Sequence, residues 1–327
     1  MASTGPRLPI ELILHVISCY VSGRPRAILS PVEPETKALL AFTLVCSATY
    51  GTASGFLRQH CVHLASSSQL RDLLVCLERP SALPTRFAAA SLGSITALFL
   101  APFGPSLDDL PTAIWVRELL CSVCRSLRRL VIDLPLRSLY PADDHLDVRR
   151  VLRDGFSRLT MLEEFVSVRD ELYLDVFDAA LRTDEAQVWT AWPNLRRLAL
   201  YNVDTSHRFW IKVAGMPKLE TLVLTRADGL LDGCVKTAYF EKTSRPLRLV
   251  LVNIASDQPL AMPRSTWAIV DPGHGMRVEM YSVPTSHGDE DEIELCQDWV
   301  KAGALRGALW EWEGCQVQAT GTTPQPQ

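Results

Sequence analysis

A unit of the form Leu-x-x-Leu-x-Leu recurs along this chain, and it constrains the fold more than any other feature. Copies stand at Ile95-x-x-Leu98-x-Leu100, Leu127-x-x-Leu130-x-Ile132, Leu162-x-x-Phe165-x-Ser167, Leu195-x-x-Leu198-x-Leu200 and Leu219-x-x-Leu222-x-Leu224. Weaker copies follow at Pro246-x-x-Leu249-x-Leu251 and Gly275-x-x-Val278-x-Met280. Their central residues lie 32, 35, 33, 24, 27 and 29 positions apart. That interval suits one supersecondary unit per copy. The two inward residues of each copy sit two apart, on one face of a short strand. No such strand buries itself alone, so the copies must stack on one another.

The segments between copies carry helical spacing. Residues 111–124 offer Ile114, Trp115, Leu119, Leu120 and Val123; residues 146–156 offer Val148, Val151, Leu152 and Phe156. Residues 172–181 and 209–213 read as shorter helices of the same kind. Upstream, 61–64 reads as a first strand and 69–77 as a helix. Strands alternating with helices predict an α/β body with a curved parallel sheet. A conventional α/β sheet with Leu-rich strands is the rival arrangement.

Ahead of the body lies a helical head, residues 8–57. Pro9 suits a first helical turn, where its missing N–H leaves no bond unmade. Ile10, Ile13, Leu14 and Ile17 follow at helical spacing, and Leu12 and Val16 widen the apolar face. So broadly apolar a helix needs cover on more than one side. Pro25, Pro31 and Pro34 mark an exposed loop at 21–35, with Thr36 expected to cap the next helix. Leu39, Leu40, Leu44 and Val45 continue an apolar face.

This stretch resembles an F-box. The ordered residues are Leu8-Pro9, Glu11, Leu12-Ile13, Leu39-Leu40, Leu44-Val45-Cys46 and the aromatic Tyr50. Two departures stand out: the 21–35 loop is longer than usual, and Tyr50 replaces the common Trp. The repeats in turn resemble the leucine-rich-repeat bodies of F-box proteins, many of them uncharacterised fungal ones. The expected architecture is an F-box-like domain at 1–57, an irregular leucine-rich-repeat solenoid at 58–316 and a disordered tail at 317–327, rich in Gln, Thr and Pro.

The resemblance implies a substrate-recognition adaptor of a Skp–cullin–F-box ubiquitin ligase. Leu8, Pro9, Ile10, Ile13, Leu39, Leu40, Leu44, Val45 and Tyr50 would lie at or behind the Skp-adaptor interface, and the repeats would hold a client protein. The alternative is a repeat scaffold that binds proteins without any ligase.

The repeat alignment also exposes a stripe on the open side of the sheet. Its middle column runs Phe99, Val131, Val166, Ala199, Val223, Val250 and Glu279. Arg129, Arg197, Arg248 and Arg277 flank it on one side and Tyr201 stands on the other. Apolar stripes rimmed by charge mark binding surfaces. The expected client surface is therefore Phe99, Val131, Val166, Val223, Val250, Arg129, Arg197 and Tyr201, and the arginines would favour an acidic or phosphorylated partner.

Chemistry finds little support. Cys121-x-x-Cys124 lacks the second ligand pair that a structural zinc site needs. Nine cysteines, an odd number, are scattered through the chain, and they read as reduced, small apolar residues. His60 and His63 would point to opposite faces of a strand. Asp143 or Asp144 reads as a helix cap. No phosphate-binding, dinucleotide, nucleophile-elbow or zinc-protease motif occurs, so the expectation is no enzyme, no cofactor and no metal. A formal net charge of −4 argues against binding nucleic acid through bulk charge. No apolar run is long enough for a membrane span, and Glu11 and His15 interrupt any signal-peptide core. The expected compartment is cytoplasm or nucleus. At the far end, Asp289–Glu292 would start a helix carrying Ile293, Cys296, Trp299 and Val300, and 308–314 would close the open end of the repeats.

Overall fold

The computed structural model describes residues 8–78, 92–176, 187–230, 235–254, 267–285 and 291–317. Three helices open the chain: α1 (Ile10–Ser22), α2 (Pro34–Phe42) and α3 (Ser47–His60). They pack about Ile17, Leu39 and Ala53, with Ile13, Leu14, Phe42, Phe56 and Leu57 around them. Helix α2 starts earlier than expected. Pro34 occupies its first turn, so Thr36 lies inside the helix rather than capping it. There Thr36 is buried and its hydroxyl donates to Cys61 Sγ at 3.6 Å.

The body is a nine-stranded sheet whose strands lie in chain order. They are β1 (His63–Leu64), β2 (Ala97–Leu100), β3 (Arg129–Ile132), β4 (Glu164–Ser167), β5 (Arg197–Tyr201), β6 (Thr221–Thr225), β7 (Leu247–Ile254), β8 (Met276–Val283) and β9 (Cys315–Gln316). The first eight run parallel, and β9 turns back antiparallel on β8. Leu98, Leu130, Phe165, Leu198, Leu222, Leu249 and Val278 stand opposite one another in the ladder. The repeat alignment is thus the strand register, because a slip by one residue would turn every central Leu to the other face.

One face of the sheet is covered by the connections: α4 (Ser67–Glu78), α5 (Leu110–Val123), α6 (Val148–Ser157), α7 (His207–Ala214), α8 (Val235–Phe240) and α9 (Trp267–Val270). The central Leu column joins them in the main core. Asp144 does cap α6, accepting the N–H groups of Val148 and Arg149 at 2.9 and 2.8 Å. The expected helix at 172–181 is not formed over its described part, 172–176, and 177–181 lies outside the described residues. Asp170 intervenes: its carboxylate takes the Leu172 N–H at 2.8 Å, and Leu172 adopts φ +62°. That turn geometry is incompatible with a helix start. Trp189 and Trp192 fill the space instead, the latter donating from Nε1 to the Phe156 carbonyl at 2.9 Å. Arg149, fully buried, ties the crossing together through the carbonyls of Leu136 (2.8 Å), Tyr173 (2.6 Å) and Asp175 (2.7 Å).

The opposite face is covered too. Helix α10 (Glu292–Leu305) begins at Asp291, whose carboxylate accepts the N–H groups of Ile293 and Glu294 at 2.7 and 3.1 Å. It lays Cys296, Val300 and Ala304 over the middle column, followed by Leu309 and Trp310. Residues 308–314 were expected at the open end of the sheet; they lie over its second face, and among the described residues it is β9 that pairs along the edge. The cause is the column itself, since a row of Val, Ala and Phe must be buried against something.

The loop between α1 and α2 also departs from expectation. Ala27, Ile28 and Leu29 are buried, not exposed. Ile28 N–H donates to the Leu305 carbonyl at 2.8 Å and Leu29 N–H to the His60 carbonyl at 2.7 Å. The loop thereby joins head, sheet and α10. Gly307 makes the approach possible: it holds φ +75°, and a Cβ there would meet the Arg26 backbone at 2.8 Å. Residues 318–327, most of the predicted tail, lie outside the described residues. Among those described, no helix is long and apolar enough to cross a membrane.

Candidate interaction surfaces

The head carries an apolar surface that none of the described residues covers. Leu8, Leu44 and Val45 are 66%, 88% and 61% exposed. Ile10, Leu12, Val16 and Tyr20 on α1 and Leu40 on α2 are exposed as well. Exposed leucines scattered singly need no explanation, whereas this many on two short helices and the turn after them do. Of the residues singled out by the resemblance, Leu8, Pro9, Ile10, Leu40, Leu44 and Val45 are exposed, while Ile13 and Tyr50 are half-buried. Leu39 is fully buried and belongs to the head's own core. Tyr20, which contacts Phe42 edge-on at 6.2 Å between centroids, was not singled out. Its signal was present in the broad apolar face of α1.

The stripe on the sheet is a different matter. Phe99, Val131, Val166, Val223 and Val250 are all buried, as is Tyr201, beneath α10 and the segment that follows it. This corrects the expected client surface, which assumed an open face. The covering element was legible as a helix from Ile293, Cys296, Trp299 and Val300. Its destination was not, because sequence periodicity gives a face and not the surface it meets.

The flanking arginines pin the cover in place. Arg248 Nη2 pairs with Glu279 Oε2 at 2.7 Å, its Nη1 donates to the Trp310 carbonyl at 2.9 Å, and Nη2 also reaches the Trp312 carbonyl. Arg277 meets the same carboxylate at 2.6 Å. Burial pushes the Glu279 carboxyl up, but the hydrogen bond from Arg248 and the two guanidinium charges outweigh it and hold the group below its ordinary range. Arg197 pairs with Glu164 at 2.5 Å, and Trp310 Nε1 donates to the other oxygen of Glu164 at 3.1 Å. Arg129 differs, with Nη1 buried and without a hydrogen-bond partner.

The chemical candidates stay apart. Cys121 and Cys124 are free and half-buried. Among the described residues, no group of three or more His, Cys, Asp or Glu side chains is placed to hold a metal ion. His60 ends α3 and His63 lies on β1, where it stacks on Phe99 with centroids 4.3 Å apart. Burial lowers the pKa of both rings, and the Arg129 charge lowers that of His60 further. On α1, Cys19 Sγ lies 3.9 Å from His15 Nε2, an exposed i,i+4 pair. No family model matches the chain, and no curated protein matches its sequence.

Proposed function

We propose that this chain is a client-recognition adaptor of a Skp–cullin–F-box ubiquitin ligase, with the head as its F-box-like module. The observation that carries the reading is the uncovered apolar surface of Leu8, Leu12, Val16, Leu40, Leu44 and Val45. All of these residues but Val16 stand at positions where the sequence resembles an F-box. Elsewhere the chain covers comparable apolar rows with its own elements, so this exposure is selective. The body is read as an irregular leucine-rich-repeat solenoid. Sequential parallel strands and an in-register Leu column support that reading, while the covered second face departs from an open solenoid. The chain would contribute no chemistry of its own. It would hold a client near a ligase that reacts by proximity.

The test is co-purification of the full chain with a Skp adaptor, set beside Leu44→Asp with Val45→Asp. The adaptor is expected to follow the wild type and to be lost from the double variant. A folded wild type that captures no adaptor would leave the interaction-scaffold reading in its place. Point substitutions are preferable to deleting residues 1–57, because that deletion also removes Ile28 from the sheet's second core.

A further inference from the structure

Where β3, β4 and β5 begin, a recess of about 360 Å³ opens between the strand starts and the loop of the head. Small-ligand pockets span roughly 300–1,000 Å³. Its walls carry five arginines, Arg26, Arg128, Arg129, Arg196 and Arg197, against the two carboxylates Glu163 and Glu164. The chain as a whole carries −4, so this basic excess is local.

Some of the charge is answered. Arg197 holds Glu164 at 2.5 Å, Arg196 holds Glu220 at 2.7 Å, and Arg128 donates to the Met161 carbonyl at 3.0 Å. Arg26 is only loosely met, 3.9 Å from Glu164 and 3.7 Å from Glu311. Arg129 is the exposed deficit: its buried Nη1 finds no acceptor. Burial disfavours its charge, Glu164 offsets part of that cost, and Arg26 adds like-charge repulsion. The His60 Nδ1 nearby is likewise buried without a partner. A buried donor left unmade is costly, more so on a charged group. An acceptor rich in oxygen and negative charge would remove the deficit.

We propose that this recess binds a small phosphate-bearing anion, with Arg129 as its central ligand and Arg26, Arg128 and Arg197 along its walls. Guanidinium forks match phosphate oxygens in pairs, and a single carboxylate would leave most of the converging donors unused. Arg26 belongs to the head's loop, whereas Arg129 and Arg197 belong to the sheet. The bound anion would therefore fasten head to body beside Trp310. The inference stands independently of whether the head binds a Skp adaptor.

Titration calorimetry on the full chain at near-physiological salt tests it with three probes: inorganic phosphate, inositol hexakisphosphate and a phosphoserine peptide. Saturable binding of either small probe at one per chain is expected, weakened about tenfold or more in Arg129→Gln. Arg277→Gln, in the same column but outside the recess, should bind within about twofold of wild type. The two small probes separate a single-phosphate site from a polyphosphate one. A purely structural arginine would destabilise the chain when removed. Here Arg129→Gln should melt no lower than wild type without anion, and should lose the anion-induced rise in melting temperature. Should Arg129→Gln fail to fold, Arg26→Gln removes a loosely held wall residue and should weaken binding likewise. No binding of either small probe, equal binding by both substituted chains and wild type, equal weakening in Arg277→Gln, or binding of the peptide alone would each overturn the proposal.

Discussion

The head and the sheet treat apolar residues in opposite ways. Both faces of the sheet are closed. The Leu and Phe column lies under the connecting helices, and the Val column lies under α10. The head buries Ile17, Leu39 and Ala53 but leaves Leu8, Leu44 and Val45 to water. Both regions are built from amphipathic segments, so composition does not separate them. What separates them is whether the chain supplies a second layer. In the body it does so twice, at the cost of a long C-terminal return; in the head the described residues give three helices and no second layer.

The largest effect that would sharpen the contrast belongs to the Leu column. Phe165 is fully buried, packed edge-on against Trp192 and Phe156 with centroids 4.9 and 6.5 Å away. Phe165→Ala should cost about 3–5 kcal/mol by urea denaturation. A loss below about 1 kcal/mol would mean that the column does not behave as core.

The second face should respond less, because it is closed by one helix and a short segment. Gly303 of α10 lies where any Cβ would collide with the Trp312 ring. Gly303→Ala should lift the cover at a cost of about 1–3 kcal/mol. It should also expose the Val stripe to an apolar dye. Destabilisation without added dye binding would show that the stripe has other cover.

How much of this was legible beforehand follows from the kind of information each residue carries. The register was readable because Leu98 and Leu100, Leu130 and Ile132, Leu198 and Leu200, and Leu222 and Leu224 each sit two apart within their copy, and period fixes the face. Asp144 was readable as a cap because its chemistry is local. The burial of Val166 and Val223 was not, since alternation looks the same whether the second face meets solvent or a helix far downstream. The role of Ala27-Ile28-Leu29 was hidden by the prolines around it, which marked a loop correctly and said nothing of what the loop touches. Arg149 went unnoticed and Arg129 was read as a client-surface residue for the same reason: a buried arginine is defined by its distant partners, or by the lack of them.

Between the sheet and its crossing segment sits a titratable group whose effect shows only as the pH changes. Asp170 is fully enclosed, and burial, with Glu171 beside it, pushes its carboxyl up to about 7. The Leu172 and Tyr173 N–H groups and the Ser167 hydroxyl oppose that rise, all at Oδ1, while Oδ2 has no partner. Between about pH 4 and 7 the folded chain keeps a proton that the unfolded chain releases. Stability from this group therefore falls as pH rises through that window and levels off above it. A rise of this size corresponds to a difference on the order of 4 kcal/mol across that window. Asp170→Asn should flatten that part of the stability profile relative to wild type. A parallel profile in the variant would show that Asp170 is ionised in the folded chain throughout.

The smallest effect on stability is expected where the effect on binding should be largest. Leu44 and Val45 follow α2 and make no part of any buried cluster among the described residues. Replacing both with Ser removes apolar surface that water already reaches, so the change in unfolding free energy should stay within about 0.5 kcal/mol. That near-zero value is informative because Phe165 and Gly303 set the scale beside it. If Leu44→Ser with Val45→Ser costs more than about 1 kcal/mol, the patch is internal cover that the helices withdraw from water, and the contrast between head and body disappears. If the stability holds while capture of a Skp adaptor is lost, the surface is kept apolar for a partner, because no buried cluster of the described residues includes it.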